Sequence, residues 1–152
     1  MEFQKIKLHR SEKNRAAVTQ ITLDDDYNVP DYRQDIVKVI KERGELRFDE
    51  VKAMEGAAWI KGSLVFKVLY RSDKQEGKIS CLRGEIPFQE RLNMDGLSEY
   101  DAVHATGDME DLTIGVINSR KLNVRAVIVL TASSEKEVDE ELTCELSEWQ
   151  FL

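Results

Sequence analysis

The chain has 152 residues, a length that suits one compact domain with its own core and leaves little room for two. Apolar residues at 41% and charged residues at 34% give the composition of a folded globular protein and not the apolar-poor signature of a disordered chain. A formal net charge of −7 argues against nucleic acid as partner, because that affinity rests on clustered Lys and Arg releasing counterions. No run approaches the ~20 apolar residues of a spanning helix.

The opening MEFQKIKLHRSEKNR holds five Lys/Arg against Glu2 and Glu12 and has no apolar run of signal-peptide type, so a cytoplasmic protein is expected. Alternation with a period of two then dominates, the mark of strands with one buried face. Gln4–His9 and Ala16–Leu23 read as strands and make up an N-terminal strand segment, 1–23. Asp24, Asp25 and Asp26 read as a solvated turn, since the loop lacks the spaced acids and the glycine of a calcium-binding loop. Next, Tyr32, Ile36, Val39 and Ile40 recur at i, i+4, i+7 and i+8, which predicts one short helix near 31–42. Asp31 would cap it, Gln34 would close the capping box, and Gly44 stands where a C-terminal cap belongs.

Leu46–Met54 reads as a strand, Glu55-Gly56 as a turn, and the clearest strand follows. There Ile60, Gly62, Leu64, Phe66, Val68 and Tyr70 alternate with residues such as Lys61, Ser63, Lys67 and Arg71. Lys78–Phe88 is a further strand in which Pro87 cannot donate to a ladder, so that strand is an edge or carries a bulge. Turn residues at Asn93–Gly96 and Asn118–Arg120 bracket strands at Ala102–Met109 and Leu112–Ile117. Leu122, Val124, Ala126, Ile128 and Leu130 form a strand that Val127 and Val129 on its other face mark as central. A last run holds Val138, Leu142, Cys144 and Leu146, with Glu140 as a strand end or bulge. These elements predict an all-β fold, an antiparallel β-sandwich or partly open barrel with one short helix, as a single domain over 1–152 whose β core covers 46–146. Its core draws on Leu64, Phe66, Val68, Leu122, Val124, Ala126, Ile128, Ile36 and Ile40. The basic start and the acidic end, 133–152, would neutralise each other if their strands pair.

Chemistry is scarce in this pattern. His9 and His104 fall where alternation puts solvated strand residues, and Cys81 and Cys144 lack zinc-site spacing and read as small packed hydrophobes. No nucleophile elbow, metalloprotease helix, Walker loop or dinucleotide fingerprint occurs, so no catalytic residue, metal or cofactor is expected. Trp59, Tyr70 and Tyr100 are the aromatic residues put forward for binding, as sugar-stacking platforms or interface anchors, with Trp59 partly exposed opposite Ile60.

Four strings in order, TLDDDYNVPDYRQDIVKVI (22–40), VKAMEGAAWIKGSLVFKVLY (51–70), GEIPFQE (84–90) and EDLTIGVINSRKLNVRAVI (110–128), resemble the SPOCS domain family, a module of spore morphogenesis proteins including clostridial ones. The resemblance spans about residues 18–146. It implies a non-catalytic structural or protein-interaction module in spore coat assembly, acting in the mother-cell cytoplasm at the forespore surface. Partners would be other spore-envelope proteins or further domains of the same protein, with self-association also open. Family members often carry a C-terminal LysM module, so the chain is expected to be a short member or the N-terminal domain of a longer protein. The alternative is a carbohydrate- or peptidoglycan-binding β domain.

Overall fold

The computed structural model describes the backbone of residues 3–72 and 78–145 and, within them, the side chains of residues 16–72 and 78–135. Six strands follow one another: β1 (Phe3–Asn28), β2 (Ile36–Met54), β3 (Ala57–Ser72), β4 (Ile79–Asn93), β5 (Ala102–Asn118) and β6 (Lys121–Glu145). They form two antiparallel three-stranded sheets, ordered β1-β6-β5 and β2-β3-β4. The sheets stack as a sandwich with β2 against β5 and β1 against β4.

The alternation explains the core. Ile60, Leu64, Phe66 and Val68 of β3 and Leu122, Val124, Ala126, Ile128 and Leu130 of β6 are fully buried, and β6 is the central strand of its sheet as its two-sided apolar pattern predicts. Opposite Phe66 on β4 lies Gly84, where a Cβ would stand 2.3 Å from the Phe66 ring. Only glycine leaves that ring its place, edge-on to Tyr27 at 5.1 Å between centroids. Pro87 sits on β4, an edge strand, where the missing N–H costs no ladder bond.

The expected helix near 31–42 is replaced by a turn over 31–32 and the first part of β2. Register shifts at Ile36/Lys38, Val39/Lys41 and Phe48/Glu50 each insert one extra residue, so the inward positions run Ile36, Val39, Glu42, Gly44, Leu46 and Phe48. Two bulges three residues apart thus imitate helical spacing. The same bulges leave Ile40 49% exposed, and Tyr32 in the turn is 81% exposed, so neither joins the core. Asp31 caps nothing helical, and Gly44 is no helix cap: it lies mid-strand, where a Cβ would come within 2.8 Å of Met109 on β5. Asp24–Asp26 are likewise strand and not turn, paired with Arg125, Val124 and Asn123 of β6. Glu140 lies inside β6 opposite Leu8, and the irregularity of this pair falls at Lys13/Arg15 instead.

Beyond Ala102, whose partner is Glu135, β1 and β6 continue together as a two-stranded ribbon. Its register sets Lys7 opposite Glu141, His9 opposite Asp139 and Lys13 opposite Glu135, so the basic and acidic ends of the chain do pair. His9 and Cys144 lie outside the residues whose side chains are described.

Candidate interaction surfaces

Two motif strings meet at one end of the sandwich. The 29–35 connection carries the chain from the first sheet to the second, and it lies against the tight turn at 118–121 between β5 and β6. Asn118 Oδ1 accepts from the Arg120 amide at 2.8 Å and shapes that turn. The amides of Val29 and Ile36 donate to the carbonyls of Arg120 and Ser119, both at 2.9 Å. From the turn the Arg120 guanidinium reaches back: Nη1 donates to the Arg33 carbonyl at 2.7 Å and to Asp35 Oδ1 at 3.1 Å. Nη2 donates to the carbonyls of Val29 at 3.2 Å and Pro30 at 2.8 Å. A planar fork with five donors fits four acceptors around one connection, as an ammonium cannot. This clamp orients backbone and leaves no group poised for reaction.

A groove of about 700 Å³ between the end of β2 and residues 99–103 is lined by Glu55, Glu99 and Asp101 beside Lys52, without a histidine, cysteine or hydroxyl nucleophile. No group of three or more His, Cys, Asp or Glu side chains that could hold a metal converges among the described residues. Among those residues, too, no helix is long and apolar enough to cross a membrane.

The outer faces of the two sheets carry the side chains available to a partner, and they differ in sign. Across β2, β3 and β4 the register sets Arg43, Lys67 and Arg83 in one row and Lys52, Trp59 and Arg91 in another. With Lys38, Lys41, Arg47, Lys61 and Arg71 this face holds ten cations against Glu45, Asp49, Glu50 and Glu85. Like charges directly opposite one another weaken a sheet, so a row of three is a cost that packing of this domain does not explain. The carboxylates act locally: Arg47 Nη1 donates to Glu85 Oε1 at 2.9 Å and Arg83 Nη2 stands 3.2 Å from the same oxygen. The hydrogen bond from Arg47 holds the Glu85 carboxyl below the usual glutamate range, and Glu85 with Asp49 raises Arg47 in turn.

The outer face of β1, β6 and β5 is acidic. Asp24 and Asp26 on β1, Asp108, Glu110 and Asp111 on β5, and Glu135 on β6 outnumber Lys121 and Arg125. Asn123 Nδ2 donates to Asp24 Oδ1 at 2.9 Å and Asp26 Oδ1 at 3.1 Å, and Gln20 Nε2 donates to Glu110 Oε2 at 3.1 Å. His104 is exposed there, 4.0 Å from Glu135, as alternation predicts.

The three predicted aromatics are not brought together. Trp59 is half-buried on the basic face, Tyr70 is 1% exposed on the inner face of β3, and Tyr100 stands 89% exposed in the 94–101 connection. Cys81 is exposed on the basic face opposite Leu69 and is not packed as expected, because its position falls on the outward phase of β4. The cation rows went unread in the sequence, although period-two Lys61, Lys67 and Arg71 were visible, because the three bulges in β2 hide which residues stand beside them.

The model of the SipL, SPOCS domain family matches residues 35–117, from the end of the clamped connection through β5. No curated protein and no solved structure matches the chain.

Proposed function

The chain belongs to the SipL, SPOCS domain family, and from that premise we infer that it is a non-catalytic protein-interaction module used in assembly of the bacterial spore envelope. The family match carries this reading. Two outer sheet faces of opposite charge support it. Coat proteins are the proposed partner class, and the mother-cell side of the forespore surface is the proposed site of action. The sugar-binding alternative has less support, since stacking platforms need exposed aromatics on one face and Tyr70 is inside.

A fluorescent fusion made during sporulation tests the reading. It should ring the forespore, and in-cell crosslinking should recover envelope proteins with it. Diffuse signal throughout sporulation with no envelope protein crosslinked would overturn it.

A further inference from the structure

Each outer face has the anatomy of a contact surface. Along the central strand of the basic face run Trp59 and Val65, both half-buried, and Leu69, 39% exposed, with cations on the flanking strands. Along the central strand of the acidic face run half-buried Val127 and Val129, with carboxylates on the flanking strands. Apolar centre and charged rim are the usual arrangement of protein interfaces. On the basic face a depression of about 230 Å³ is lined by Leu69 and Cys81 with Lys41, Arg43 and Lys67, three cations against the one acid Glu42, a balance that favours an incoming carboxylate. The strand of 16 residues at the centre of that face gives a surface about 50 Å by about 14 Å from strand rise and spacing, which is close to the ~800 Å² per partner of a standard interface.

We propose that the basic outer face of one copy, around Lys41, Arg43 and Lys67, docks on the acidic outer face of a second copy, around Asp108 and Asp111. This rests on the reading of the domain as an interaction module and names a partner for it. The occupant is chosen by complementarity: the face that matches the cations in sign and in its apolar centre belongs to this same chain, while the net charge of −7 disfavours a polyanion. The two faces are on opposite sides of the sandwich, so the contact is heterologous. Each docked pair leaves one basic and one acidic face free, and the assembly grows as an open stack instead of closing as a dimer.

Sedimentation velocity on the 152-residue chain tests this. At low salt, about 20 mM, size should grow with protein concentration, and at about 500 mM salt the chain should sediment as a monomer, because screening then reaches within the contact distance. The pair Lys41→Gln with Lys67→Gln removes two charges from the centre of one face, and Asp108→Asn with Asp111→Asn removes two from the other. Each double variant alone should weaken association at least about tenfold while keeping the wild-type melting temperature. Mixed in equal amounts, the two variants should form dimers and stop there, since each retains one intact face. A wild-type chain that stays monomeric at low salt, growth indifferent to salt, or a mixture no more associated than its components would each overturn the proposal. So would a monomer whose basic face instead binds vesicles of anionic lipid. A monomeric chain whose fusion still rings the forespore would sink the stacking and leave the interaction-module reading standing.

Discussion

Replacing Arg120 by Met removes the fork and keeps most of the aliphatic stem, so the loss reports the clamp and little else. Four acceptors lose the guanidinium, the carbonyls of Val29, Pro30 and Arg33 and the Asp35 carboxylate, and of these the Pro30 carbonyl keeps the Arg33 amide. A hydrogen bond from a charged donor contributes ~1.5–3 kcal/mol when buried. Arg120 and Asp35 are 36% and 38% exposed, so water replaces much of what is lost, and the Asp35 ion pair itself counts for little. A net destabilisation of about 2–3 kcal/mol follows, which for a domain of this size lowers the melting temperature by roughly 5–10 °C. Arg120→Lys should recover less than half, since an ammonium has no fork to spread over three carbonyls. Urea unfolding gives the magnitude, and hydrogen exchange gives the place: the Val29 and Ile36 amides, which donate to the same turn, should lose protection before the strands do. A loss under about 1 kcal/mol, the range of an ordinary surface change, with unchanged protection at those amides would refute the clamp.

Phe66→Ala should cost ~3–5 kcal/mol in urea unfolding, because the ring is fully buried and edge-on to Tyr27; a loss near that of a surface change would mean the inner face is wrongly assigned. Gly84→Ala should cost about 1–3 kcal/mol through the clash with Phe66, and adding Phe66→Leu should recover part of it; strictly additive losses would show that the two positions do not touch. Because Arg47 lowers the Glu85 pKa in the folded state, the stabilisation from the ionised carboxylate is complete above the ordinary glutamate value and is lost as pH falls through the lowered one. The stability difference between wild type and Glu85→Gln should therefore be largest at neutral pH and shrink in acid, and a difference that holds constant down to about pH 2 would rule out the linkage.

The strands whose alternation is unbroken were legible. In β3 and in the 122–130 part of β6 the period of two runs long enough to fix both the strand and its buried face, whereas the single strand Lys121–Glu145 was read as two; Pro87 marked an edge. In β2 the backbone has two bulges within six residues, and Ile36 and Val39 then take a spacing that a helix also produces. The capping residues agreed with that spacing, while the β-branched Ile36, Val37, Val39 and Ile40 favoured a strand, and pairing with Tyr70 and Ser72 of β3 decides it. The surface was harder to read. Which cation neighbours which depends on register across three strands, and one extra residue moves every later partner.

The family match and the fold have different boundaries, and the difference says where the stability of the module resides. Residues 35–117 contain all of the β2-β3-β4 sheet but only β5 of the other. The inner face of β5 meets Leu46 and Phe48 of β2 at Gly107 and meets Gly44 at Met109, but β5 has no partner in its own sheet without β6. From β6 come Leu122, Val124, Ala126, Ile128 and Leu130, which supply the buried centre of that sheet. Arg120 at the head of β6 holds the connection through which β1 enters β2. The matched residues on their own would therefore expose the inner faces of β3 and β4 and a lone β5. The folded unit therefore needs β1 and β6 as well as the matched residues, and the acidic outer face exists only when both of those strands are in place.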